Sequence, residues 1–224
     1  FMFPRLSYAQ AGSGGGASSG GSKPWTFMSQ KAEVKRQARW SLSDWLATKD
    51  RMKWSDMWLV LNSPSPYEFF VSGAYNLVPQ SQGGKADARF GLGAYVKIFG
   101  LEYEHDNIYG PEDHARFHLR FFGSYVQGTN LTLQAGIRFR SGATTVRQGY
   151  VGLSPTLYLQ KYFGIYSLYR YYLTSGGHRA EVGPFIDFGP FRVFGYYLYQ
   201  HESDARLVND GIADGWILGG QLFF

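Results

Sequence analysis

Residues 215–224 read Gly-Trp-Ile-Leu-Gly-Gly-Gln-Leu-Phe-Phe. With the two-residue period of a strand, Trp216, Leu218, Gly220, Leu222 and Phe224 share one face, and Gly215, Ile217, Gly219, Gln221 and Phe223 the other. The first face is apolar and ends on an aromatic ring. A strand this apolar offers an edge that other chains will pair with unless a neighbour covers it. Closure into a barrel removes the edge, so the stretch is read as one stave of a closed wall.

The same period recurs upstream. From Tyr67 the chain divides into ten alternating segments, roughly 67–78, 86–99, 101–109, 115–127, 131–140, 147–160, 164–174, 178–188, 191–201 and 213–224. Each is near the length a tilted strand needs to cross a bilayer, about 9 to 11 residues. In the second, Phe90, Leu92, Ala94, Val96 and Ile98 oppose Arg89, Gly91, Gly93, Tyr95 and Lys97. In the fifth, Leu131, Leu133, Ala135, Ile137 and Phe139 oppose Thr132, Gln134, Gly136, Arg138 and Arg140. Short links at 99–100, 128–130, 160–164 and 189–190 alternate with mostly longer ones such as 109–114, 141–146 and 202–212. Pro155 and Pro184 fall inside proposed strands, where proline removes a ladder hydrogen bond, and they mark bulges or misplaced boundaries.

The terminal strand, with Phe224 last and Trp216, Leu218 and Leu222 alternating before it, resembles the C-terminal strand of bacterial outer-membrane β-barrel proteins. In that family this strand is the feature that the barrel assembly machinery reads. The resemblance covers only the tail. It implies an all-β fold, a transmembrane antiparallel up-and-down barrel of about ten strands over residues 64–224, placed in the bacterial outer membrane among its lipids. An even strand number then puts both termini on the periplasmic side. The competing architecture is a soluble lipocalin-like barrel, whose apolar face would point inward.

Composition fits a wall with two unlike faces. The 224 residues are 18% aromatic, with 29 glycines and 17 tyrosines, yet mean hydropathy is only -0.27. No apolar run approaches the 18 or more residues of a transmembrane helix, so a membrane crossing has to use strands. With no cysteine, the chain has no disulfide framework, thiolate metal site or cysteine nucleophile. No cofactor and no metal site are expected.

Ahead of the barrel lie two unlike segments. Residues 1–24 form a Gly/Ser-rich leader: Ala9-Gln10-Ala11 has the small-x-small pattern of a signal-peptidase site, and residues 12–22, GSGGGASSGGS, form a flexible tether. Residues 25–63 turn rich in Trp, Met, Lys and Arg, with helix starts at Ser43-Asp44 and Ser55-Asp56. Trp54, Met57, Trp58 and Leu61 fall on one helical stripe behind the bases Lys49, Arg51 and Lys53, with Trp45 upstream. This amphipathic, cationic segment is expected to dock on an envelope partner or the membrane surface; the alternative is packing on the barrel's own end. Nucleic acid is not an expected partner, since no recognisable binding module accompanies the bases.

With the apolar face outward, Arg89, Lys97, Arg116, His118, Arg120, Arg138, Arg140, Arg170, Arg179 and Arg192 point inward, together with Glu102, Glu104, Asp106, Glu181 and Asp187. The expected lumen is charged and net basic, filled by ion pairs because isolated buried charges are costly. Its alternative is a narrow, anion-favouring channel. A lipid-modifying enzyme is the third class, but no catalytic constellation stands out: the five histidines are scattered, and neither Gly-x-Ser-x-Gly nor His-Glu-x-x-His occurs. His114 and His118 lie about 13 Å apart along a strand, too far to share a metal. The expected function is a membrane anchor or scaffold whose working part is the N-terminal segment.

Overall fold

A computed structural model describes residues 24–37, 39, 41–43, 67–77, 87–107, 111–122, 129–141, 146–201 and 212–224. One helix, α1 (Pro24–Gln37), precedes ten strands: β1 (Tyr67–Leu77), β2 (Asp87–Val96), β3 (Phe99–Asp106), β4 (Glu112–Phe122), β5 (Asn130–Arg140), β6 (Val146–Tyr158), β7 (Phe163–Tyr172), β8 (His178–Phe188), β9 (Phe191–His201) and β10 (Ile212–Phe223). Every strand pairs antiparallel with its sequence neighbours, and β1 pairs with β10, so the sheet closes into a barrel. Phe224 extends the closing seam by donating its N–H to the Phe69 carbonyl at 2.8 Å. The terminal strand thus has partners on both sides, as its apolar face demanded.

The pairing also fixes the barrel's shape. Cross-strand partners taken in turn from Tyr67 run through Val96, Phe99, Leu119, Leu133, Leu153, Tyr169, Ala180 and Tyr199 to Asp214. Asp214 lies two residues beyond the last β1–β10 pair, Leu77 with Trp216. The wall is therefore staggered by about 12 residues, which for strands about 4.8 Å apart gives a tilt of about 40° and a backbone radius of about 10 Å. Long side chains fill a tube of that width.

The side-chain pattern is inside out relative to a soluble barrel. Val71, Leu92, Leu101, Ile137, Val151, Val182, Val193 and Leu218 are exposed around the waist of the wall. Aromatic rings flank them: Tyr67, Phe69, Phe99, Phe188, Phe191 and Phe224 at the end carrying the β2–β3 and β8–β9 turns, and Tyr75, Phe90, Tyr103, Tyr171 and Trp216 at the other. Among the described strand residues, outward charge is confined to the second end, at Asp113, Arg147 and Asp214. An aliphatic belt between aromatic girdles is what a bilayer selects, and the lipocalin-like alternative is overturned because the apolar face points out.

Both ends of the wall and α1 lie at the same end, here called the turn end, where β2–β3 and β8–β9 connect through residues 97–98 and 189–190. Lys97, expected in the lumen, instead occupies the β2–β3 turn with φ of 56°. A two-residue hairpin needs positive φ, which took Lys97 out of the alternation. β4 ends at Phe122, so the β4–β5 link covers 123–129 and is longer than the three residues expected. β4 also begins at Glu112, three residues before the expected start, because Glu112 pairs inward with arginines and behaves as strand.

Neither internal proline shifts the register. Pro155 pairs with Leu131 and Pro184 with Ile165, while the ladder on the other side of each skips two positions and resumes unshifted. Each ring thus costs one ladder hydrogen bond and no bulge. The register shift among the described strands falls at Arg120/Phe122.

Candidate functional site: the charged lumen

The inward positions of β3 carry Glu102, Glu104 and Asp106, and these three carboxylates organise the lumen. Glu104 is central: it accepts from Arg89 at 2.8 Å, from Arg116 at 2.7 Å, and from both terminal nitrogens of Arg170 at 3.0 and 3.2 Å. Arg89 also reaches Glu181 at 3.0 Å, and Glu181 accepts from Arg179 at 2.8 Å. Arg179 continues to Asp106 at 2.8 Å, which Asn76 also meets at 2.8 Å. Arg116 bonds Glu102 too, and His118 lies 3.1 Å from that carboxylate. These contacts join β1, β2, β3, β4, β7 and β8 into one network, so charges far apart in sequence compensate one another inside the tube.

A second cluster at the loop end centres on Glu112, which Arg140 bonds and from which Arg138 and His114 lie 3.6 and 3.5 Å away. Arg138 stacks over the Tyr172 ring at 4.0 Å and bonds Gln148. Here the lumen is densely packed: Asn76, Asp106, Arg138, Gln148, Tyr150, Arg170, Tyr172, Arg179 and Gln200 are each no more than 1% exposed. A third cluster stands at the turn end, where Asp187 accepts from Arg192 at 2.7 Å and from the Tyr158 hydroxyl at 2.7 Å.

Of the sequence-derived lumen residues, Arg89, Glu102, Glu104, Arg116, His118, Arg120, Arg138, Arg140, Arg170, Arg179, Glu181, Asp187 and Arg192 all face inward. The lumen stays net basic, with a smaller excess than expected. Glu68 and Glu112, both inward and buried, were missed, and Lys97 is in a turn. Among the described residues the wall then presents eight arginines (89, 116, 120, 138, 140, 170, 179, 192) to seven carboxylates (68, 102, 104, 106, 112, 181, 187), close to balance. Inward tyrosines and phenylalanines were also under-weighted, since alternation alone does not say which aromatic is lipid-facing. Tyr166, Phe194 and Tyr196 pack beside Ile217 in the lumen, and a Cβ on Gly219 would meet Phe194 at 2.7 Å. The space at that glycine therefore takes an aromatic ring.

The N-terminal segment meets the turn end at two points. Lys31 of α1 donates to the carbonyls of Tyr67 and Phe224, at 3.1 and 2.9 Å, across the β1–β10 seam. Arg39, only 7% exposed, enters the lumen mouth: it lies 2.9 Å from Asp187, donates to the Lys161 carbonyl at 2.7 Å, and stacks 4.1 Å over the Tyr158 ring. Pro24 opens α1, where a missing N–H costs nothing. The helix starts expected at Ser43 and Ser55 gave no hint of α1 or of Arg39. Trp45, Trp54, Met57, Trp58 and Leu61, the expected docking residues, lie outside the described residues, as do residues 1–23.

A closed antiparallel barrel with an aliphatic belt, aromatic girdles and a charged interior defines a β-barrel membrane protein of the outer-membrane type. No protein-family model matches the chain, and no characterised protein sequence does. Solved structures similar to it include Ail, the attachment invasion locus protein of Yersinia pestis, alone and in complex with the heparin analogue sucrose octasulfate. Both are 14% identical over 70% of this chain and 97% of the Ail chain, with TM-scores of 0.25 and 0.28. Likeness at that level transfers no function.

Proposed function

We propose that this chain is an integral anchor of the bacterial outer membrane, whose N-terminal segment, held at the periplasmic mouth of the barrel, docks an envelope partner or the membrane surface. One observation carries the reading: Arg39 is buried in the turn-end mouth against Asp187 and Tyr158, which ties the segment before the barrel to its interior. Trp45, Trp54, Met57, Trp58 and Leu61 all lie between Arg39 and the start of β1 in the sequence. The turn end is assigned to the periplasm because outer-membrane barrels keep their short connections on that side. Assembly would pass through the barrel assembly machinery, reading Trp216, Leu218, Leu222 and Phe224.

The near balance of lumen charge and the fully buried layer around Arg170 and Arg179 support an ion-paired plug over an anion-favouring channel. We read the chain as non-enzymatic. His118 faces Glu102 and Tyr95 inside the lumen, on the opposite side of the wall from bilayer lipid. The test is deletion of residues 1–61: a folded barrel that no longer co-purifies with the wild-type partner supports docking, and unchanged co-purification refutes it.

A further inference from the structure

Between α1 and the Glu104 network the lumen is hollow. A cavity of about 180 Å³ reaches from Met28 and Lys31 of the helix to Arg116 and Arg120 of β4. It holds several waters or one small organic molecule. Its arginines are mostly committed, Arg192 and Arg39 to Asp187, Arg89 to Glu104 and Glu181, and Arg116 to Glu102 and Glu104, and the buried carboxylate Glu68 also lines it.

Arg120 is the exception. It is 8% exposed, and no carboxylate among the described residues lies within ion-pair distance of it. Its guanidinium stacks 4.5 Å over the Tyr95 ring, while Nε and Nη1 are buried without a hydrogen-bond partner. Arg116, one inward step away on β4, has its Nη2 engaged by Glu102 and Glu104, yet its Nε and Nη1 are also unpartnered. Leaving such charged donors desolvated is costly, so native structures give them an acceptor. The surrounding wall adds hydroxyls from Thr132 and Ser154 and apolar surface from Phe70 and Phe223.

We propose that this cavity binds a small organic carboxylate, its anionic end on Arg120 and Arg116 and its apolar body against Phe70 and Phe223. The unpartnered guanidinium donors of Arg120 and Arg116 call for an anionic acceptor, and the mixed lining calls for an apolar body. Helix α1 forms the turn-end wall of the site, through Met28, Lys31 and Ala32. The inference goes beyond the docking role and does not depend on it.

The experiment is fluorine NMR of 4-fluorobenzoate titrated into the full-length protein in detergent, with neutral 4-fluorobenzamide as the comparison. The expected result is saturable binding of the carboxylate, none of the amide, and at least tenfold weaker carboxylate binding in Arg120→Gln. Equal binding of the amide, wild-type binding in Arg120→Gln, or no binding at millimolar carboxylate overturns the proposal. If Arg120→Gln does not fold, Ser154→Leu fills the cavity without touching a charge. That variant must weaken binding to the same degree, and unchanged binding in it also overturns the site.

Discussion

Replacing Glu104 by Gln keeps the side chain's shape and removes one negative charge from the centre of the lumen. Three arginines lose their shared partner, but unequally: Arg89 retains Glu181, Arg116 retains Glu102, and Arg170 has no second carboxylate among its contacts. Arg170 is fully buried, and its Nε already lacks a partner. Removing one member of a buried ion pair costs about 3–5 kcal/mol. With two of the three arginines still compensated, Glu104→Gln should cost about 3 kcal/mol, at the lower end of that range. Adding Arg170→Gln removes the stranded charge, so the double variant should recover about 2 kcal/mol of that loss. Urea unfolding of the barrel in lipid vesicles, followed by tryptophan fluorescence and extrapolated linearly, reads both numbers. A single variant costing under about 1 kcal/mol, or a double variant as unstable as the two single losses added together, would refute the reasoning.

Other perturbations test the remaining elements. At Gly183 an added Cβ would lie 2.1 Å from the Gly195 carbonyl and 2.8 Å from the Tyr196 Cα, so Gly183→Ala should destabilise the barrel by about 1–3 kcal/mol or more and lower its heat-modifiable gel band. Ile137 is 48% exposed at the waist of the wall, and Ile137→Lys should cost about 2–4 kcal/mol in vesicles, whereas His105→Lys near the loop end should cost about 0–1 kcal/mol. Arg39→Ala leaves Asp187 paired with Arg192, so barrel stability should hold while limited proteolysis within residues 24–43 accelerates severalfold.

The barrel was legible because its signal repeats. Each of ten segments alternates, and one apolar stripe per segment is enough to set the wall's two faces; β8 and β9 begin and end at the residues expected. Errors fell where local chemistry outweighed alternation. Lys97 read as the last inward residue of β2 but turns the hairpin, and Glu112 read as loop because it follows Pro111 and precedes another acid. The ion network was legible only as a list of charges. That Glu102, Glu104 and Asp106 meet arginines follows from their shared face, but which arginine meets which depends on stagger, which no single segment encodes. Arg39 had no signal at all: it is one base among eight Lys or Arg between residues 23 and 61, and only the fold brings it to Asp187.

The central claim is a membrane-spanning wall closed from within by its own ion pairs. Planar-bilayer recording on the full-length protein tests that most directly, with insertion verified by the gel shift of the same preparation. No discrete conductance is expected at ±100 mV. Stable, reproducible conductance steps favouring anions, and reduced by Arg138→Gln, would contradict it.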